Sequence, residues 1–289
     1  MSDILIKAIT KNSNIRITAV YTKNIVERAR QIHKTLPVAS ASLGRTLSAT
    51  SILGANLKND DGSVTVQIKG GGPLGSIVCV SDSFGRVRGY LQNPAVDIPL
   101  KPNGKLDVST AVGTNGFLTV IKDLSMKEPF IGTTELVSGE IAEDVTAYFA
   151  QSEQIGTACA LGVLVDTDQS IKQAGGYIVE VMPNALNEDI EILENNIKNI
   201  LPITTLLDSG LSIKDVIFKV LDGFDVDILE ESEISYDCKC SRERVSKALI
   251  SIGKKELLDI AETEEKIEMT CQFCDEVYNF DRDEILNLI

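Results

Sequence analysis

The sequence contains no uninterrupted apolar run of about 18 residues, the length that a membrane-spanning helix needs. Residues Met1 to Lys7 also show no basic region followed by an apolar core, as a secretory signal would. We therefore expect a soluble, cytoplasmic protein with no membrane partner. In that reducing compartment, clustered cysteines bind a metal or sense redox state more often than they form a permanent disulfide framework.

Positive charge and histidine are also scarce. The 28 lysines and arginines are outnumbered by 42 acidic residues, which gives a formal net charge of -14. A negative field opposes association with a phosphate backbone, and the densest basic run, residues 242–255, lies between acidic flanks. We therefore expect no nucleic-acid partner. His33 is the only histidine, which argues against a catalytic triad built on histidine.

The chain is long enough for a substantial core, since it has 289 residues of which 43% are hydrophobic. We expect an α+β fold in which residues 1–182 form an N-terminal core domain. Pro37 is placed to start a helix that continues to Leu57. Strand-like runs separated by Gly, Asp and Pro turn signals predict a mainly antiparallel sheet. The predicted strands are residues 15–21, 64–68, 75–80, 87–91, 117–121, 131–137 and 175–182.

Residues 183–233 are predicted to form an acidic helical linker. Its apolar side chains fall on one helical stripe from Ile190 to Leu201 and on a second from Ile213 to Leu221. Pro202 and the Asp-Ser-Gly-Leu-Ser stretch at 208–212 separate the two stripes. The segment is therefore expected to form amphipathic helices rather than a disordered tether.

Residues 234–289 form the predicted zinc-binding redox-switch domain. Cys238 and Cys240 make a CxC pair, and Cys271 and Cys274 make a CxxC pair, all among polar neighbours that exclude a packing role. Zinc takes four soft ligands in a tetrahedron, and two short chelating pairs supply them. The sequence predicts one Zn²⁺ held by these four thiolates. The surrounding elements predicted are a strand at 234–236, helices at 241–252 and 254–261, and a strand at 277–280.

The zinc site is open to two interpretations, a purely structural site or a redox switch. A module of this size is expected to unfold without its metal, because the free energy of zinc binding is also folding free energy. In an extended CxC the two Cα atoms are about 6.6 Å apart, near the upper limit of about 6.8 Å for a disulfide. Oxidation of the CxC pair would therefore bend the segment. We hypothesise that disulfide formation and metal binding exclude each other, and the simplest expected pairing joins Cys238 with Cys240 and Cys271 with Cys274.

Other motifs give no catalytic residue and no organic cofactor site. The glycine-rich residues 70–75 lack the Lys and Ser/Thr of a P-loop and are interpreted as a connection between strands. The acidic residues at 140–144 favour the start of a helix that extends to Gln154. Cys79 and Cys159 lie in apolar runs and are interpreted as inert thiols. We therefore expect that the protein is not an enzyme.

Taken together, several segments resemble the redox-regulated holdase chaperones of the thirty-three-kilodalton heat-shock protein family. The resemblance runs nearly end to end, and the combination is specific although each segment alone is weak. The segments are 41–45, 70–75, 111–116, 138–140, 152–154, 175–177, 238–245, 248–249, Gly253, 271–274, Tyr278 and Phe280.

The resemblance implies a cytosolic, ATP-independent chaperone that is inactive while reduced and zinc-bound. On oxidation such proteins form two disulfides, release zinc, lose structure in the C-terminal module and the linker, and bind unfolding proteins as dimers. Two other classes are kept as alternatives. A nucleic-acid-binding zinc-ribbon protein would show salt-dependent binding to DNA or RNA, and a thiol-disulfide oxidoreductase would turn over its substrate catalytically without zinc.

Overall fold

The computed structural model describes residues 2–264 and 266–287. The backbone contacts divide the chain into two compact units, Met1–Tyr236 and Asp237–Ile289. The mixed α+β fold predicted from the sequence is confirmed. Residues 183–233 group with the first unit, so the division into 1–182, 183–233 and 234–289 stays a prediction about which parts act separately. None of the described helices is both long and apolar enough to span a membrane.

The first unit contains two antiparallel sheets of five strands each. In sheet 1 the strand order is β10-β1-β2-β9-β8, and in sheet 2 it is β5-β4-β3-β6-β7. Sheet 1 is built from β1 Ile4–Thr10, β2 Ile15–Tyr21, β8 Thr157–Val165, β9 Ile171–Val181 and β10 Val226–Glu233. Sheet 2 is built from β3 Ser63–Lys69, β4 Ser76–Asp82, β5 Val87–Leu91, β6 Phe117–Asp123 and β7 Phe130–Glu135.

Four helices accompany the sheets before β8. They are α1 Lys23–His33, α2 Pro37–Ala55, α3 Val108–Val112 and α4 Ala142–Tyr148, the last followed by a π-helical turn at Phe149–Glu153. The predicted helix at 140–154 is therefore shorter and changes its hydrogen-bond pattern at Phe149. Residues 70–75 connect β3 to β4, which confirms the interpretation of the glycine-rich segment.

The helix α2 is buried on nearly all sides and packs against strands of both sheets. Small residues make this possible, since a Cβ on Gly44 would lie 2.6 Å from Val26 and 2.8 Å from Val163. Four of the buried hydroxyl groups of this helix are satisfied locally, because each donates to the carbonyl four residues earlier. These residues are Ser42, Thr46, Ser48 and Thr50.

The other face of sheet 1 is covered by three helices, α5 Asn187–Asn199, α6 Ile203–Asp208 and α7 Ile213–Val220. The second predicted apolar stripe packs with alternate residues of β1, β2 and β9. Of the first stripe, Leu193, Ile197 and Ile200 pack there, whereas Leu201 is exposed. The predicted helical linker is nevertheless not helical throughout. Residues 226–233 form the edge strand β10, which pairs antiparallel with β1.

The strand predicted at Ile234–Tyr236 is not formed. Ile234 N donates to Asp3 O beside sheet 1, whereas Val87 N of β5 donates to Ser235 O beside sheet 2. The chain thus passes from one sheet to the other within three residues. Only a single bridge between Val87 and Tyr236 remains.

The second unit is a small α+β module. Its elements are α8 Arg242–Ile250, α9 Lys254–Thr263, β11 Lys266–Thr270, β12 Val277–Asp281 and α10 Arg282–Asn287. The two predicted helices and the strand at 277–280 are confirmed within a few residues. Five buried side chains form its hydrophobic core: Leu249, Leu257, Ala261, Phe280 and Ile285.

Candidate metal centre

The four clustered cysteines of the second unit come together at one point. The Sγ atoms of Cys238, Cys240, Cys271 and Cys274 all lie within 4.8 Å of one another. Cys238 Sγ is 3.7 Å from Cys271 Sγ, and Cys240 Sγ is 3.3 Å from Cys274 Sγ. Residues 33 positions apart in sequence therefore share one site, and the four thiols are positioned to hold a metal ion.

A tight turn between β11 and β12 positions the CxxC pair. Cys274 N and Asp275 N both donate to Cys271 O, at 3.3 and 2.8 Å, and Cys271 N donates to Glu276 O at 2.9 Å. Asp275 adopts a left-handed backbone with φ of 58°, a conformation that Asp tolerates better than most residues. The hydrogen-bonded loop directs both thiols towards the cluster.

The CxC pair is fixed by the start of α8. Ser241 caps this helix, because its hydroxyl accepts a hydrogen bond from Arg244 N. The Arg244 side chain reaches back, and its Nη1 donates to Lys239 O at 2.9 Å. The residue between the two cysteines is thereby tied to the first turn of α8.

The tyrosine Tyr278 on β12 adds a hydroxyl to the site. Its Oη donates to Cys240 Sγ at 3.2 Å. Desolvation raises the pKa of Cys240, but the Tyr278 hydroxyl and the neighbouring thiols outweigh it, so the pKa falls below its usual value. Desolvation raises the pKa of Cys238 to about 11 and that of Cys274 further. Of these three thiols, Cys240 is the one whose surroundings favour the thiolate.

The side chain of Arg242 links the first turn of α8 to the module core. Its guanidinium lies 4.4 Å from the centroid of the Phe280 ring and 2.6 Å from a carboxylate oxygen of Glu284. Phe280 is almost fully buried, two residues after Tyr278 on the same strand. The helix that follows the CxC pair is thus packed against the strand that follows the CxxC pair.

The other sequence-predicted residues belong to the first unit. His33 Nε2 is 2.9 Å from Gly89 O, a structural contact with the backbone. Cys79 is fully buried and Cys159 half-buried, and desolvation raises the pKa of both thiols well above the usual range. Such thiols are unreactive at neutral pH, as predicted. Glu143 and Asp144 lie in the first turn of α4.

Two groups of functional interest were not predicted. The contact of Tyr278 with Cys240 has no local sequence signal, because 38 positions separate them. Glu140 accepts from Arg45 Nη1 at 2.6 Å and from Lys101 Nζ at 2.5 Å. Arg45 and Glu140 both lie in segments that carry the family resemblance, but only the fold brings them together.

The fold and the centre together define a mixed α+β chain that ends in a four-thiol module. The family model described as "Hsp33 protein" matches residues 3–281. A 33 kDa chaperonin of Clostridioides difficile (strain 630) is 49% identical over 289 residues, covering 100% of this chain and 99% of the relative. A 33 kDa chaperonin of Alkaliphilus metalliredigens (strain QYMF) is 46% identical with the same coverage.

A solved structure agrees over the whole length. The crystal structure of a 33 kDa chaperonin from Thermotoga maritima, a heat shock protein 33 homologue, superposes with a TM-score of 0.91. It is 37% identical, and the match covers 100% of this chain and 98% of that one. The chain belongs to the Hsp33 family of chaperones, which confirms the resemblance deduced from its segments.

Proposed function

We propose that this chain is a cytoplasmic, redox-regulated and ATP-independent holdase. In the reduced state it holds one Zn²⁺ and is inactive. Oxidation forms two disulfides, releases the metal and lets a homodimer bind unfolding polypeptides. The observation that carries the proposal is the four-thiol cluster in the small second unit of an Hsp33-family chain.

The donor set supports zinc as the metal. Four sulfur atoms that each lie about 2.3 Å from a tetrahedral zinc ion are about 3.8 Å from one another. The sulfur separations of 3.7 and 3.3 Å and the common limit of 4.8 Å fit that arrangement. Four thiolates are soft ligands, which favour zinc over magnesium or calcium. When bound, zinc would supply a cross-link between the CxC and CxxC segments.

Metal binding and oxidation compete for the same four sulfur atoms. A disulfide joins two sulfurs at about 2.05 Å, and a sulfur in that bond is no longer a thiolate ligand. For each disulfide, two thiols lose two electrons and two protons to hydrogen peroxide, which becomes two molecules of water. We retain the pairing of Cys238 with Cys240 and of Cys271 with Cys274 as the proposed one.

The helices α5, α6 and α7 are the elements we expect to respond next. They have 13, 6 and 8 residues, and isolated helices of such length are marginal in water. Leu193 is the only fully buried residue of α5. We propose that loss of the C-terminal module loosens this layer and exposes the apolar face of sheet 1, a surface suited to unfolding clients.

The test measures zinc release and client aggregation together in one sample. Reduced protein is treated with peroxide at mild heat while a metal indicator reports free zinc and light scattering reports a thermally unfolding client. We expect about one zinc per chain, released as suppression of aggregation appears at near-stoichiometric amounts. Cys159→Ser is the control, because Cys159 lies outside the cluster. Zinc retained under oxidation, or equal activity in both states, would reject the switch.

A further inference from the structure

The strand β8 is an edge of sheet 1. It pairs antiparallel with β9 along its whole length, from Thr157 to Val165. Within the described part of the chain no strand pairs with its other side. Backbone N–H and C=O groups therefore point away from β9 at alternate positions along nine residues.

This edge lacks the charges that usually protect one. Edge strands commonly carry charged residues, and these charges keep strands of other chains from pairing with the edge. The opposite edge of the sheet, β10, follows that rule with Asp227, Glu230, Glu231 and Glu233. The sequence of β8, TACALGVLV, contains no charged residue. Its composition therefore permits pairing with another strand.

A cavity of about 660 Å³ lies along this edge. Residues 160–165 of β8 form one side, and residues 202–205 at the start of α6 form another. The remaining lining comes from Lys101, residues 103–106, Ala41, Arg45, Glu140 and Ala142. We call this space the β8 groove. It lies beside residues 160–165 of the unpaired edge.

The charged side chains of the β8 groove favour an acidic occupant. Arg45, Lys101 and Lys105 line it together with a single acid, Glu140, although the whole chain carries a net charge of -14. Among the described residues, exposed Lys105 has no ion-pair partner. Arg45 Nε is buried without a hydrogen-bond partner. Arg45 and Lys101 both pair with Glu140, so the positive charge of Lys105 is the one that remains available beside the edge.

We infer that the β8 groove binds an extended, acidic segment of an unfolding polypeptide, which adds to sheet 1 as a further strand beside β8. The inference rests on the proposed holdase function for the nature of the occupant. Backbone hydrogen bonds supply affinity without regard to sequence, as a chaperone needs, and Lys105 selects for acidic segments. One added strand binds weakly, so the groove captures a segment but does not prevent aggregation alone.

The experiment measures amide hydrogen exchange of the reduced full-length chain with a defined peptide. The probe is a capped peptide of alternating valine and glutamate, as long as β8. We expect the alternate β8 amides that face away from β9 to exchange at least about tenfold more slowly when peptide is bound. The β10 amides should not change. Two further peptides, N-methylated at odd or at even positions, should differ strongly in binding, because only one set of amides faces β8.

A charge swap provides the matched variant. Lys105→Glu should weaken binding of the valine–glutamate peptide by about fivefold or more, and should favour a valine–lysine peptide instead. Lys127→Glu is the control, because Lys127 is also exposed but does not line the groove. Equal binding by both N-methylated peptides, or no protection of β8, would overturn the inference.

Failure of the inference and failure of the proposed function give different results. If β8 is not protected but peroxide still releases zinc and activates the chain, only the proposal that the β8 groove binds a peptide is rejected. If β8 is protected but the zinc switch fails, the groove stands as a peptide site and the redox function is rejected. If β8 is already protected in concentrated free protein and loses protection on dilution, a second copy occupies the edge and the inference is overturned.

Discussion

At the level of single residues, the Tyr278 hydroxyl is the clearest support for the metal centre outside the four cysteines. It donates to Cys240 Sγ at 3.2 Å and thereby favours the thiolate that a metal needs. Tyr278→Phe removes this hydrogen bond and keeps the ring. We expect about a tenfold loss of zinc affinity and earlier release under peroxide. Competition with a chelator of known affinity measures the first effect, and a metal indicator measures the second.

The matched control for this change is Tyr21→Phe. Tyr21 also donates its hydroxyl to a side chain, Gln173, but lies in the first unit. The Tyr21→Phe variant should leave zinc affinity unchanged. If both variants hold zinc as tightly as the unmodified chain, the contact of Tyr278 with Cys240 has no part in metal binding.

The buried carboxyl of Asp3 predicts a pH dependence of folding stability. Desolvation raises its pKa from 3.8 to about 6, against the opposing hydrogen bonds from Asn24 and Ile25. Between these two values the folded chain holds a proton that the unfolded chain has lost. The free energy of unfolding should therefore fall as pH rises from about 4 to about 6, by up to about 3 kcal/mol. Asp3→Asn should remove this component.

Urea unfolding of both chains across that pH range measures the difference. The asparagine variant has no carboxyl to titrate at this position, so its unfolding free energy should vary less with pH. Parallel curves for the two chains would show that Asp3 does not carry the effect.

At the level of elements, the contact between α6 and β8 depends on Gly162. A Cβ at this position would lie 2.6 Å from Thr204 Cγ2 and 2.9 Å from Ile203 Cγ2. Both are β-branched residues with stiff side chains, so α6 must shift. Gly162→Ala should therefore loosen the helix layer without oxidation. We expect the reduced variant to bind a hydrophobic dye and to suppress some aggregation while it keeps its zinc.

Gly156→Ala is the control, because a Cβ there makes only ordinary contact, 3.6 Å from Val181. It should behave like the unmodified chain. If Gly162→Ala binds dye yet gains no activity, exposure of the surface beneath α6 does not create the client site.

The elements also show what the sequence could and could not predict. The helix α2, the strands of sheet 2 and the helices of the module carry local signals, such as Pro37 and the regular turn residues, and were found. The strand β10 was missed because its partner β1 lies more than 200 positions earlier and its acidic composition favours a helical interpretation. The four cysteines were found because their spacing is itself the signal.

The remaining features depend on tertiary contacts. Tyr278 and Cys240 meet only when β12 folds back towards the start of α8, and Arg45 meets Glu140 across 95 positions. The β8 groove likewise exists only because β8 falls at the edge of the sheet. Periodicity and spacing contain no information about which strand will be an edge, so these features required the structure.

At the level of the whole molecule, the two units differ in what stabilises them. The first unit has two large buried clusters, one between α2 and both sheets and one beneath α5 to α7. Among the described residues of the second unit, only five hydrophobic side chains are buried. Domains of this size seldom fold on a hydrophobic core alone and often need a metal.

Metal removal should therefore unfold one unit and leave the other folded. Structural zinc contributes about 10 to 16 kcal/mol near neutral pH, more than a core of five side chains supplies. We expect a chelator, added to reduced protein, to expose residues 237–287 to limited proteolysis while a fragment close to Met1–Tyr236 survives. Re-addition of zinc before proteolysis is the control and should restore protection, because no thiol has been oxidised. A module that resists the protease without metal would show that its core suffices, and zinc loss could then not be the event that activates the chaperone.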